Sequence, residues 1–107
     1  MHDPQAITVK AHVHLTAPEL GGRPDGIYSG YRPNHNFGGP EAPDFYLGQI
    51  ETLGGEDIAP GCEGTIKVRF VFRPELRELL RPGREWRLQE ALRLVGVAKV
   101  IEVLDDV

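Results

Sequence analysis

A single cysteine, Cys62, is the first limit this sequence sets. One thiol cannot close an intramolecular disulfide, and zinc sites built from paired cysteines are excluded with it. Also missing is any apolar run near the roughly 18 residues a membrane helix requires. The start, "MHDPQAITVKAHVHLT", has no charged segment leading into an apolar core, so no signal peptide is read and a cytoplasmic protein is expected. No GxxxxGK[ST], GxSxG or HExxH occurs, and no glycine-rich turn joins a strand to a long helix. Phosphate-cradling loops, nucleophile elbows and zinc-protease helices are therefore not expected, and no cofactor is implied. Cys62 precedes a glutamate after a Pro-Gly turn and lacks the cationic neighbours that activate a thiol. It reads as a small turn residue. The carboxylates are scattered, whereas paired-carboxylate catalysis needs two groups converging on one cleft.

The 107 residues form one small domain over 1–107, with a core expected from about 7 to 104. The formal net charge of −4 argues against nonspecific nucleic-acid binding, which requires a basic surface. Eight of the 12 basic residues nevertheless fall between Lys67 and Arg93, which leaves room for a local basic face. Thirteen glycines and nine prolines separate short alternating runs, which favours strands and turns over long helices.

Residues 7–16 alternate strictly. Ile7, Val9, Ala11, Val13 and Leu15 are apolar, and the residues between them are polar, so a half-buried strand is predicted. In 65–73, Ile66, Val68, Phe70 and Phe72 face one way while Thr65, Lys67, Arg69 and Arg73 face the other. Proline opens a short helical turn near 74–81, and Pro82-Gly83 ends it. The valine-rich run 94–104 predicts a buried strand. Weaker strands are expected over 27–37 and 45–52, the first an edge or bulged strand because it holds Pro33. Residues 84–92 are ambiguous: propensity favours helix, while Trp86 and Leu88 also fit a strand. Five or six short strands with tight turns suggest a closed barrel or a sandwich.

His12 and His14 lie at i and i+2 on a strand, so both occupy one face, and His35 could supply a third imidazole to zinc. No spacing fixes that third ligand, and wet strand faces accept histidine freely, so these three are only weak metal candidates. Tyr28, Tyr31, Phe37, Phe45 and Tyr46 cluster in sequence, either as barrel filling or as an aromatic interface.

The stretch "GGRPDGIYSGYRP", preceded by "HVHLTAPEL", resembles the third, C-terminal domain of bacterial elongation factor Tu. The likeness continues in order through Pro60-Gly61, Ile66-Lys67 and "WRLQEALRLVGVAKV", covering about residues 8–104. It implies an all-β, six-stranded antiparallel closed barrel and makes 84–92 a strand despite its helical propensity. It does not bring GTP binding, because the family's nucleotide domain has no counterpart here. In that family the third domain contacts the T stem of aminoacyl-tRNA. The resemblance puts Asn34 in place of a contact glutamine and Leu47 in place of a threonine. Glu90 matches a contact glutamate, but Ala91 and Leu92 stand at glycine positions.

The resulting expectation is a noncatalytic binding module whose partner is another protein or a second copy of the chain. The alternative is a module for tRNA-like RNA. The candidate contact residues are Arg23, Tyr31, Arg32, Asn34, Glu90 and Arg93.

Overall fold

The computed structural model describes residues 5–104. Its strands are β1 (Ala6–Leu15), β2 (Asn34–Asn36), β3 (Phe45–Thr52), β4 (Glu63–Val71), β5 (Glu85–Glu90) and β6 (Arg93–Leu104). A 3-10 turn, Pro18–Leu20, follows β1, and one short helix, α1 (Leu76–Leu79), joins β4 to β5. The strands close into a barrel in the order β1-β4-β3-β2-β5-β6, and every neighbouring pair is antiparallel. The chain is thus an all-β closed barrel, with α1 falling inside the 74–81 span where a helical turn is predicted.

Alternation explains β1 and β4 directly. Val9, Ala11 and Val13 of β1 and Ile66, Val68 and Phe70 of β4 are fully or almost fully buried. A register shift between Lys10 and Ala11 against β6 breaks the pattern, and Thr8 is buried as well. β6 corrects the expectation of a buried strand. Val95, Ala98 and Val100 face inward, but Ile101 and Val103 remain exposed on the outer wall.

The 27–37 segment contributes only Asn34–Asn36 as strand, plus a lone bridge between Ile27 and Ile58. β2 is not an edge. It pairs with β3 on one side and β5 on the other, and Pro33 precedes it rather than interrupting it. β5 is a strand because its partners require one. Trp86 and Leu88 enter the core while its backbone bonds to β2 and β6. Tertiary pairing outweighs the few tenths of a kcal/mol per residue that favour helix.

The double glycine at 21–22 has two separate structural reasons. Gly21 closes the 3-10 turn in the left-handed region (φ 95°), its N–H donating to the Pro18 carbonyl. At Gly22 a Cβ would lie 2.1 Å from the Thr16 carbonyl oxygen, so no side chain fits.

At the centre of the barrel sits His35, fully buried between strands. The Trp86 indole N–H donates to its Nδ1 at 3.0 Å. Indole is only a donor, so Nδ1 must be the acceptor, and the ring proton sits on Nε2. Nε2 in turn donates to the Gly48 carbonyl at 3.0 Å. The Phe70 ring packs edge-on against the imidazole at 4.9 Å between centroids, and Phe37 stacks on Trp86 at 5.3 Å. Gly48 makes the space: a Cβ there would come within 3.1 Å of both His35 Nε2 and Phe70 Cδ1.

Burial holds the His35 imidazole neutral and lowers its pKa from 6.5 to about 4, with the Gly48 bond opposing weakly. The unfolded chain therefore takes up a proton at this residue below pH 6.5, while the folded chain resists until about pH 4. This contribution to stability is complete above pH 6.5 and falls by about 3 kcal/mol as the pH drops to 4. Urea midpoints measured at pH 7 and pH 4 should show that loss. The His35→Gln chain keeps an acceptor and a donor but cannot titrate, so its slope should be flatter. In His35→Phe both partners are orphaned, and a loss on the order of 3 kcal/mol at pH 7 is expected.

Candidate binding flank

The closed ladder arranges outward-pointing side chains into rows that cross the strands. Asn34 of β2 stands opposite Leu47 of β3 on one side and Gln89 of β5 on the other. The next position beyond the Gly48–Phe70 pair brings Leu47 beside Val71 of β4, which itself pairs with Ala6. A second row joins Gln49, Arg69 and Thr8. Between these rows lies an open groove of about 410 Å³, lined by Arg32, Leu47, Gln49, Arg69 and Val71 among others.

Two features set this groove apart from an ordinary wet sheet face. Leu47 is 65% exposed and Val71 is 56% exposed, side by side on the outer wall. Beside them are two guanidinium groups without a carboxylate partner among the described residues. Arg32 donates through Nε and one Nη to the neutral Gln49 amide oxygen, at 3.0 and 2.7 Å. The cross-strand neighbours of Arg69, Thr8 and Gln49, are also uncharged.

Next to the row, at the β5–β6 hairpin, Arg23, Tyr31 and Glu90 meet. One oxygen of Glu90, Oε2, accepts from Arg23 Nη1 and from the Tyr31 hydroxyl, each at 2.7 Å. The Arg23 guanidinium also lies 4.7 Å over the Tyr31 ring. Burial, reinforced by the Glu90 hydrogen bond, pushes the Tyr31 hydroxyl well above its usual pKa. The Arg23 Nε is buried without a hydrogen-bond partner among the described residues. This cluster pins the glycine-rich segment after β1 to the hairpin.

Behind the hairpin, Gln89 Nε2 donates to the Ala91 carbonyl, and Gln89 Oε1 accepts from Asn36. Ala91 takes up the left-handed region at φ 52°, a conformation costly for an L-residue with a Cβ. Leu92 at the tip is 96% exposed. Arg93 pairs with Glu90 across the turn and is exposed.

Of the sequence-predicted contact residues, Arg23, Tyr31 and Glu90 are thus in mutual contact, with Arg93 next to them. Arg32 and Asn34 line the groove. The three-imidazole metal candidate is corrected. His35 points into the core with both ring nitrogens engaged, whereas His14 is exposed and His12 Nε2 lies 3.2 Å from Glu63. Among the described residues no group of three or more His, Cys, Asp or Glu could hold a metal ion. The aromatics divide: Tyr31, Phe37 and Tyr46 are buried, while Tyr28 and Phe45 are exposed.

The basic run is largely absorbed internally. β4 ends at Val71, so Arg73 lies beyond the strand, paired with Glu75 and placed over Tyr46. Arg84 donates to the Phe37 carbonyl, and Arg81 to that of Glu78.

Sequence reasoning missed Val71 and Gln49. The signal for Val71 was present, because it interrupts the polar series Lys67, Arg69, Arg73 with an apolar side chain on the wet face. Gln49 carried no comparable mark.

No helix among the described residues is long and apolar enough to cross a membrane. No protein-family model matches the chain, and no curated protein matches it.

Two substitutions probe the hairpin. Ala91→Gly removes the Cβ from a left-handed position and should raise stability by roughly 0.5–1 kcal/mol, read from urea unfolding. Glu90→Ala leaves a part-buried guanidinium and a buried hydroxyl without their acceptor, and a loss on the order of 1–3 kcal/mol is expected by the same measurement.

Proposed function

We propose that the chain is a noncatalytic binding module related to the third barrel of elongation factor Tu, docking a protein partner on the flank of β4, β3 and β2. A cytoplasmic location and the lack of any GTP-dependent step belong to the same reading. The observation that carries it is the pair Leu47 and Val71, two large apolar side chains exposed side by side and bordered by Arg32 and Arg69. Apolar side chains contiguous on a surface and rimmed by polar ones are the usual anatomy of a docking site. The likeness to the translation factor is supported by the GGR and GYRP segments and by the barrel itself. Ala91 adds to it, since a position where the family carries glycine has the backbone conformation that glycine favours.

Binding of a tRNA-like helix is the second reading, favoured by the exposed Arg32, Arg69 and Arg93. Against it, Glu90 Oε2 is already engaged by Arg23 and Tyr31. Leucines at 47 and 92 offer a ribose or phosphate no hydrogen bond.

The test is affinity capture from a lysate of the encoding organism, using the wild-type chain and the Leu47→Glu/Val71→Glu double variant. A protein retained by the first and lost from the second, with or without ribonuclease, is the expected result. Recovery of tRNA, with affinity falling steeply as salt rises, would replace this reading with the second.

A further inference from the structure

We propose that the β3–β4 groove receives an extended acidic segment of the partner protein, in which an aliphatic side chain and a carboxylate alternate at i and i+2. This inference rests on the reading of the flank as a protein-docking face and assigns the chemistry of what docks there.

The argument starts from spacing. Along β4, Arg69 and Val71 are two residues apart and point to the same outer face, as do Gln49 and Leu47 along β3. The antiparallel register then sets Leu47 beside Val71 and Gln49 opposite Arg69. The groove thus has an apolar step and a cationic step, one strand repeat apart, about 6.8 Å at the usual rise. An extended ligand repeats its own same-face side chains at that distance. A segment lying along the strands would seat one aliphatic side chain on Leu47 and Val71. Its next same-face side chain would arrive between Arg32 and Arg69.

Charge decides what that second side chain is. Both guanidinium groups lack a carboxylate partner among the described residues, in a chain whose formal net charge is −4. Gln49 holds the Arg32 guanidinium through a single amide oxygen, and the other N–H donors of Arg32 have no hydrogen-bond acceptor among the described residues, so they can take a carboxylate. Recognition must run through side chains, because the barrel is closed and β3 and β4 are already paired on both sides. Strand addition is therefore closed to the partner. Nucleic acid fits less well: its phosphates would meet the two arginines, but Leu47 and Val71 would be covered by nothing apolar, and Phe70, the aromatic ring at the groove, is fully buried and offers no stacking face.

The experiment uses the full chain and a fluorescein-labelled octapeptide, Leu-Ser-Glu-Ser repeated twice, followed by fluorescence polarisation at low salt. Saturable binding is expected, weakened about tenfold by Arg69→Glu and by Leu47→Ser, and weakened again as salt rises. The peptide with lysine in place of glutamate should not bind. Urea midpoints confirm that each variant is folded, and Arg32→Gln with Arg69→Gln carries the test should Leu47→Ser unfold. Three results would each overturn the proposal: no saturable binding, equal binding by the groove variants, or equal binding of the lysine peptide. An RNA hairpin that binds the chain and is lost with Arg69→Glu, while the acidic peptide does not bind, would overturn it as well. If lysate capture depends on Leu47 and Val71 but the peptide fails, the docking face stands and its acidic assignment falls.

Discussion

The hydrogen bonds on either side of His35 are the constraint on which the barrel depends. They join β5 through Trp86, β2 through the imidazole and β3 through the Gly48 carbonyl. A buried polar ring is tolerated there only because both nitrogens are satisfied, and that requirement fixes its tautomer. Everything near it follows. Gly48 lacks a side chain because the ring and Phe70 fill that space. Trp86 must point inward, which makes a strand of a segment whose composition favours helix. β2 is only three residues long, yet its central residue ties it to both flanking strands from inside the barrel.

The legible parts of the fold are those where alternation is complete. β1 and β4 could be read because the inner and outer residues of each differ in chemistry. β6 was legible as a strand, but not in its exposure, since its outer face is apolar at Ile101 and Val103. β5 was not legible from local preference, because the barrel partners that decide it are distant in sequence. His35 looked like a surface ligand for a related reason: its polarity suits a wet face, and its two partners lie 13 and 51 residues away. The candidate flank was legible residue by residue and not as an assembly. Arg32 and Asn34 could be singled out, but the register that sets Leu47 next to Val71 belongs to the sheet.

Inside and outside divide the polar work of this chain. The buried polar groups are neutral: His35 and Trp86 in the core, and the amides of Asn36 and Gln89 beneath the loop and hairpin that cover them. Charged groups work at the rim, where Arg23 and Glu90 clamp the glycine-rich segment to the hairpin and Arg84 covers Phe37. Such a division avoids the desolvation cost of buried ions, several kcal/mol per charge, that a small barrel could not absorb. It also leaves the groove arginines without a carboxylate partner among the described residues.

Asn36 has a consequence for how this barrel tolerates change. Its side-chain oxygen accepts from the N–H groups of both Gly38 and Asp44, and its Nδ2 donates to the Gly39 carbonyl. One buried amide thus holds the two ends of the 38–44 loop together from within, so the strands on either side do not depend on the loop to find each other. Because closing a longer loop between pinned ends adds only about 0.6 kcal/mol per doubling of length, the Gly39–Pro43 stretch is a natural insertion point. New sequence could be carried there, beside the candidate flank, without the barrel having to be rebuilt around it.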